Sequence, residues 1–304
     1  MTNKLNLLFL LFFYSGVTLA VETPYSFNLN AGALYDDNVA RATLDQDIVS
    51  DTIANIGLSA DYRFHHSHES IIILSATADA YQYQDFDKLS NIIAGFKADY
   101  QIKPSHGYTS PWYHASLEYS LVNYQSTLRD SDGFTFEIGM GKRITDRVNF
   151  RSGLLYEKFE AEADEFDIDN YRVYFNFDFK THQHNTLYLT LGYNDGNVAT
   201  STTDTSTSTA KTSPVTEKGT RNILLQGHHL PNEPTGAPLR VDDAFLNGFV
   251  YQLDTTAITV QIGNNYALSS HQSIDLSAFY YSTQDSTDAN YNGIIAQLSY
   301  LHRF

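Results

Sequence analysis

A histidine near a carboxylate is the first place to look for chemistry in this sequence, because that pair can move a proton near neutral pH. His114 and Glu118 stand at an even spacing in "YHASLEY", and His228 and His229 precede Asp242 and Asp243 in a polar stretch. Neither pair comes with a recognisable nucleophile. No Gly-x-Ser-x-Gly, His-Glu-x-x-His or glycine-rich phosphate loop occurs. Cysteine is absent, which removes a thiolate nucleophile, a Cys-ligated metal and a disulfide-stapled module. Catalysis is not expected, although a Ser, a His and a carboxylate meeting near a rim at about 3 Å would revive it. Metal binding fares no better. "HHSH" at 65–68 and "HQH" at 182–184 read as soluble turns before they read as metal ligands. Asp36, Asp37, Asp45, Asp47 and Asp51 form one acidic group, and "EAEADEFDID" at 160–169 forms another. Their oxygens suit calcium or magnesium, but neither has the spacing of a twelve-residue calcium loop, so solvated acidic loops and no cofactor are expected.

The other charged residues have a different arrangement: they alternate with apolar ones. Asp61, Arg63, Asp79, Lys97, Asp99, Glu118, Glu137, Arg151, Glu157, Arg172, Asp178 and Lys180 fall on the polar side of such runs, as do Arg143 and Asp275. A wall carrying both signs can line water and orient a polar solute. It can equally neutralise itself and pack a narrow interior. Period-2 segments must position these residues. In "YRVYFNFDFK", Tyr171, Val173, Phe175, Phe177 and Phe179 face one way while Arg172, Tyr174, Asn176, Asp178 and Lys180 face the other. The same alternation runs through Phe27–Tyr35, Ile56–Phe64, Ile92–Tyr100, Tyr113–Leu121 and Phe134–Met140. Only a strand keeps such a stripe on one face. The segments of about 11 to 14 residues exceed ordinary strands and suit strands tilted across a bilayer. Tyr81/Tyr83, Tyr62/Phe64 and Tyr100 are expected in interfacial aromatic girdles.

The first twenty residues, "MTNKLNLLFLLFFYSGVTLA", combine one positive charge, a short apolar run and small residues before a polar sequence. That is the pattern of a signal peptide over 1–20, since the run is too short for about 30 Å of hydrocarbon. A barrel is then expected over 21–304. A net charge of -16 with 19 basic residues argues against a nucleic-acid partner. The compact connections, at 65–68, 103–111, 144–147, 181–185 and 269–272, alternate with longer or more acidic ones, which orients the first set to the periplasm. Counting strands gives twelve. The alternative is fourteen, because a long presumed external insertion at 196–256 holds two apolar runs, "NILLQ" and "AFLNGFVYQL". Twelve requires those runs to form an external hairpin or to prolong their neighbours.

The leader, the alternating segments and the terminal "YLHRF" resemble Gram-negative outer-membrane barrels, and Gly32 to Phe64 resembles the start of porin and surface-export barrels. In those families a Tyr-Asp-Asp-Asn patch, here Tyr35 to Asn38, follows the first strand, and a Ser-Asp, here Ser50-Asp51, opens the second. The resemblance implies an all-β antiparallel transmembrane barrel in the cell outer membrane. Its partners would be lipid, periplasmic chaperones and the barrel-insertion machinery, which would read Tyr300 and Phe304 as an assembly signal. The function implied is a porin-like channel for passive passage of small polar solutes, with a weak preference for cations. The alternatives are a structural, adhesive or export-associated barrel, and behind them a rim-sited hydrolase.

Overall fold

Residues 24–202, 240–245, 248–285 and 290–304 are described by the structure, a computed structural model. The expected signal peptide, His228-His229 and "NILLQ" lie outside them. The chain forms β1 (Tyr25–Asp36), β2 (Asp51–His65), β3 (Ser70–Tyr83), β4 (Asn91–Ile102), β5 (Trp112–Tyr124), β6 (Ser131–Arg143) and β7 (Val148–Ala161). It continues with β8 (Ile168–His182), β9 (Asn185–Thr202), the short β10 (Arg240–Asp242), β11 (Gly248–Ala267), β12 (Gln272–Asp285) and β13 (Asn292–Arg303). Leaving β10 aside, each strand pairs antiparallel with the next; β9 pairs with β11, and β13 returns to β1. The result is a closed barrel of twelve strands. Closure leaves no edge of unpaired amides, the condition for a sheet to exist in hydrocarbon.

Alternation then divides the wall into two faces. Ile92, Phe96, Leu117, Ile258, Ile262 and Leu298 are each 54–62% exposed, and all belong to the outward set. An apolar belt so exposed is stable only against lipid, so the barrel spans a membrane. The large apolar side chains buried in an ordinary protein are here turned outside. Tyr62, Phe64 and Tyr100 are exposed on this surface. Tyr81 and Tyr83 are not in the girdle, because their register opposite Asn55 and Ile53 turns them inward.

The region expected to be an insertion is narrower than 196–256. β9 runs on to Thr202 and β11 begins at Gly248, with continuous pairing from Phe249↔Thr202 down to Tyr266↔Asn185. These strands, of 18 and 20 residues, are longer than the roughly 9–11 a membrane crossing needs, so they stand above it as a ribbon. "AFLNGFVYQL" supplies the turn of a hairpin with β10 and the first residues of β11. It therefore prolongs an existing strand instead of adding a thirteenth and fourteenth to the barrel.

Candidate functional site

The inner face carries all the charged positions picked out by alternation. Asp61 accepts hydrogen bonds from Ser26 (3.1 Å) and Asn28 (3.2 Å), and Asp99 accepts one from Gln101 (3.0 Å). Lys97 is the cross-strand partner of Glu118. Glu137 meets His114 Nε2 at 3.1 Å and accepts from Tyr174 Oη at 2.5 Å. Glu157 accepts from Asn170 (3.2 Å), Arg172 donates to Asn194 (2.6 Å), and Arg151 donates to Asp178 (3.2 Å). Tyr188 reaches Asp275 at 2.8 Å. Apart from Gln101–Asp99, which lies within β4, these bonds join strands that are neighbours or next neighbours, so the side chains lie along the wall.

Glycine makes the longer reaches possible. A Cβ on Gly153 would stand 2.8 Å from the Tyr174 ring, and one on Gly95 would meet Thr77 Oγ1 at 2.8 Å and Glu118 Oε1 at 3.1 Å. Tyr174 crosses β7 over that glycine to reach β6. Along the axis, Asp79, Glu118, Glu137 and Glu157 sit midway with Lys97 and Arg172, while Arg63, Arg143, Arg151, Lys180 and Arg303 lie toward the end with the short connections, together with Asp61, Asp99, Asp178 and Asp275.

The opposite end is covered. The buried residues gather at and above the ends of the strands bearing the long connections, among them Asp36, Asn38, Asp47, Asp51, Asp242, Phe245 and Val250. The first acidic group is therefore not the solvated rim expected, since Asp36, Asp47 and Asp51 are buried and only Asp45 is fully exposed; in 160–169 Glu165 is buried, while Glu160, Glu162, Asp164 and Asp169 are exposed as expected. Asp51 accepts from the backbone N–H groups of Thr52, Gln84, Asp85 and Phe86, tying the β2–β3 end together. Among the described residues, no cluster of three or more His, Asp or Glu is placed to hold a metal ion.

Two knots make the cover. In the first, "YDDNVAR" closes the seam between the first and last strands. Asp37 Oδ1 accepts the Ile294 N–H (2.7 Å), and Asn38 brackets Ala42 through two bonds. Arg41 has a φ of 55°, which a long side chain adopts only where its surroundings impose it. They do: its guanidinium pairs with Asp36 at 2.7 Å and donates to Asn38 O and Tyr281 Oη, both at 2.6 Å. Burial works against this charge, yet Asp36 holds the Arg41 pKa above its ordinary value. The Ser201 N–H then donates to Ala40 O at 3.0 Å. The β1–β2 connection thus reaches β9, four strands round the barrel by way of β13, β12 and β11.

The second knot is the β10–β11 turn. Asp242 is fully buried and accepts from Arg129 (2.6 Å), Ser201 (2.5 Å) and the Ala244 N–H (3.0 Å). The Arg129 guanidinium also lies 4.1 Å over the Phe166 ring. Asp243 takes Ser126 (2.5 Å) and Lys88 (2.9 Å), and Phe245 packs on Phe86, Leu89, Ala40 and Ala42. The contributing loops carry short 3-10 turns at Asp45–Asp47, Asp87–Leu89, Thr127–Arg129 and Asp164–Phe166. Of this network the sequence offered only the Asp242-Asp243 pair and the Tyr-Asp-Asp-Asn patch. At the other end of the chain, Tyr300 pairs with Ala31, and the Phe304 N–H donates to Phe27 O (2.9 Å) while its ring stays 59% exposed.

No protein-family model and no curated protein matches the sequence. Solved structures do. An outer-membrane channel from Pseudomonas putida F1 superposes with a TM-score of 0.58 at 8% identity, over 94% of this chain and 97% of that one. The beta domain of a Bordetella autotransporter gives 0.42 at 9% identity, over 93% and 100%, and an anion-selective porin from Comamonas acidovorans gives 0.37 at 8%, over 92% and 98%. At these identities the likeness is one of fold. With its exposed apolar belt, closed seam and long connections at one end, the chain is an outer-membrane β-barrel of twelve antiparallel strands.

Proposed function

We propose that the protein is a porin-like channel for passive passage of small polar solutes, with a weak preference for cations, and that the external cover closes it at rest. The observation that carries this reading is the inner wall. Its charged and polar side chains bond sideways and lie over glycines, which makes a wall fit to line water, and the groups midway along it are more acidic than basic. The reading is non-enzymatic: His114 has Glu137 as its hydrogen-bond partner and Trp112 as its ring neighbour, and no serine hydroxyl bonds it among the described residues. Insertion would depend on Tyr300 and the exposed Phe304 ring, presented at the seam to the insertion machinery. The cover favours a second reading, a structural, adhesive or export-associated barrel that never conducts.

Planar-bilayer recording of purified, folded protein separates the two. A channel gives small discrete conductance steps and a reversal potential under a KCl gradient shifted toward the cation. Glu118→Gln should move that potential toward zero. If neither the full protein nor an Asp242→Ala variant with a loosened cover conducts, with folding confirmed by heat-dependent gel mobility, the second reading stands.

A further inference from the structure

The periplasmic end holds a feature that neither conduction nor assembly requires. The connection at 103–111 folds back beneath the barrel wall, held by Arg143, whose guanidinium lies 4.4 Å over the Tyr108 ring. Between this connection and the lower ends of β5 to β8 is an open cavity of about 600 Å³, whose lining includes Lys103, Tyr108, Trp112, Lys142, Arg143, Arg151 and one carboxylate, Asp178. Arg151 has Asp178 at 3.2 Å. Lys103, Lys142 and Arg143 have no carboxylate within ion-pair distance among the described residues. In a chain of net charge -16, four of the 19 basic residues line one cavity and only one of the four is paired. The aromatic component is fixed too: the Trp112 ring lies on Gly141, where any Cβ would collide with it, and packs 5.3 Å from the His114 ring.

We propose that this vestibule binds a phosphate ester, its anionic head between Lys103, Lys142 and Arg143 and its adjoining ring or carbon body against Trp112. The chemistry follows from the set. Guanidinium and ammonium groups are the natural partners of phosphate oxygens, and a clamped indole offers a flat apolar face at small entropic cost. The same head group reaches this end of the barrel either on a soluble solute or on an anionic phospholipid, since Lys142 and Phe150 come from the lipid-facing register. The site lies outside the cover and its occupancy does not depend on whether the lumen conducts.

Trp112 is the sole tryptophan, so its fluorescence reports the vestibule alone. Full-length folded protein in neutral detergent is titrated with phenyl phosphate, with benzyl alcohol and phenyltrimethylammonium as the neutral and cationic counterparts. The expected result is a saturable change with phenyl phosphate only, weakened by added NaCl. In a Lys103→Gln, Lys142→Gln, Arg143→Gln variant the apparent affinity should fall by about tenfold or more, as lost charge-assisted contacts imply. These side chains are exposed, and unchanged heat-dependent gel mobility and emission maximum show that the variant is folded. A parallel titration with phosphatidylglycerol in mixed micelles identifies the source: a response there, abolished in the variant and missing with phenyl phosphate, assigns the site to the lipid head group. The proposal is overturned if neither phosphate compound alters the emission, if benzyl alcohol alters it equally, or if the triple variant responds like the parent.

Discussion

Arg129 and Arg143 make nearly the same local contact at opposite ends of the barrel. One guanidinium lies 4.1 Å over Phe166 and the other 4.4 Å over Tyr108. Arg129 is largely buried against a fully buried Asp242, whereas Arg143 is exposed and has no carboxylate partner among the described residues. The pair shows how desolvation decides what a charge does. At the end with the long connections, charges taken out of water have to be matched, and the matching fixes one arrangement of the loops. At the end with the short connections the charges remain hydrated, cost little, and stay available to a ligand. One chain thus uses the same residue type to tie the loops at one mouth and to dress the other.

The largest effect should come from breaking the matched end. Asp242→Ala leaves the Arg129 guanidinium buried without its carboxylate and removes the acceptor for Ser201, a loss of about 3–5 kcal/mol for a buried pair. That loss falls on the cover, so amide exchange at 124–130 and 240–245 should quicken while the barrel keeps its resistance to thermal unfolding. Arg143→Ala, the counterpart, should change stability by less than about 1 kcal/mol. Equal effects at the two positions would remove the distinction between the ends.

Between those ends the wall itself can be challenged by placing a charge on each face in turn. Phe175 lies outward and Asn176 inward, bonded to Thr190 at 2.9 Å. Phe175→Arg should reduce membrane insertion by about 2–4 kcal/mol near mid-depth, while Asn176→Arg is hydrated by the lumen and tolerated. Folding yield into lipid vesicles measures this, and equal yields would mean that the belt is not the lipid face.

The wall was the legible part of the molecule. A strand in a two-faced sheet writes its environment into every second residue, so Phe175 and Asp178 declare opposite faces without any neighbour being known. Tyr81 and Tyr83 show where that reading fails, since an aromatic residue near a strand end is ambiguous until its register opposite Asn55 and Ile53 fixes the face. The cover was hardly legible. Asp242 meets Arg129 across more than a hundred positions of sequence, and nothing local distinguishes a buried acidic loop from a solvated one. Its acidic residues look soluble because their partners, the backbone N–H groups of Gln84 to Phe86 in the case of Asp51, have no side-chain signature. The vestibule suffered likewise, as Lys103 and Lys142 converge only once the 103–111 connection has folded back.

The smallest effect expected is one of pH, and it tests how the matched end responds to loss of a single charge. Partial burial acts to raise the Asp243 carboxyl, but Ser126, Lys88 and Arg129 together hold it below its ordinary value of 3.8. A carboxyl depressed in the folded state adds stability that is present in full above that ordinary value and is lost as pH falls below it through the folded value. The cover should therefore loosen only in strong acid, with the Lys88 contact going first. The ion pair is partly exposed, 46% and 38% at its two side chains, so screening keeps the effect modest. Amide exchange at 240–245, followed down to about pH 3 and corrected for intrinsic rates, should quicken below the ordinary carboxylate range in the native chain. Asp243→Asn should already show the faster exchange at neutral pH and lose most of the pH dependence. If the variant retained the full acid response, the Asp243 carboxyl would not be the group through which acid loosens the cover.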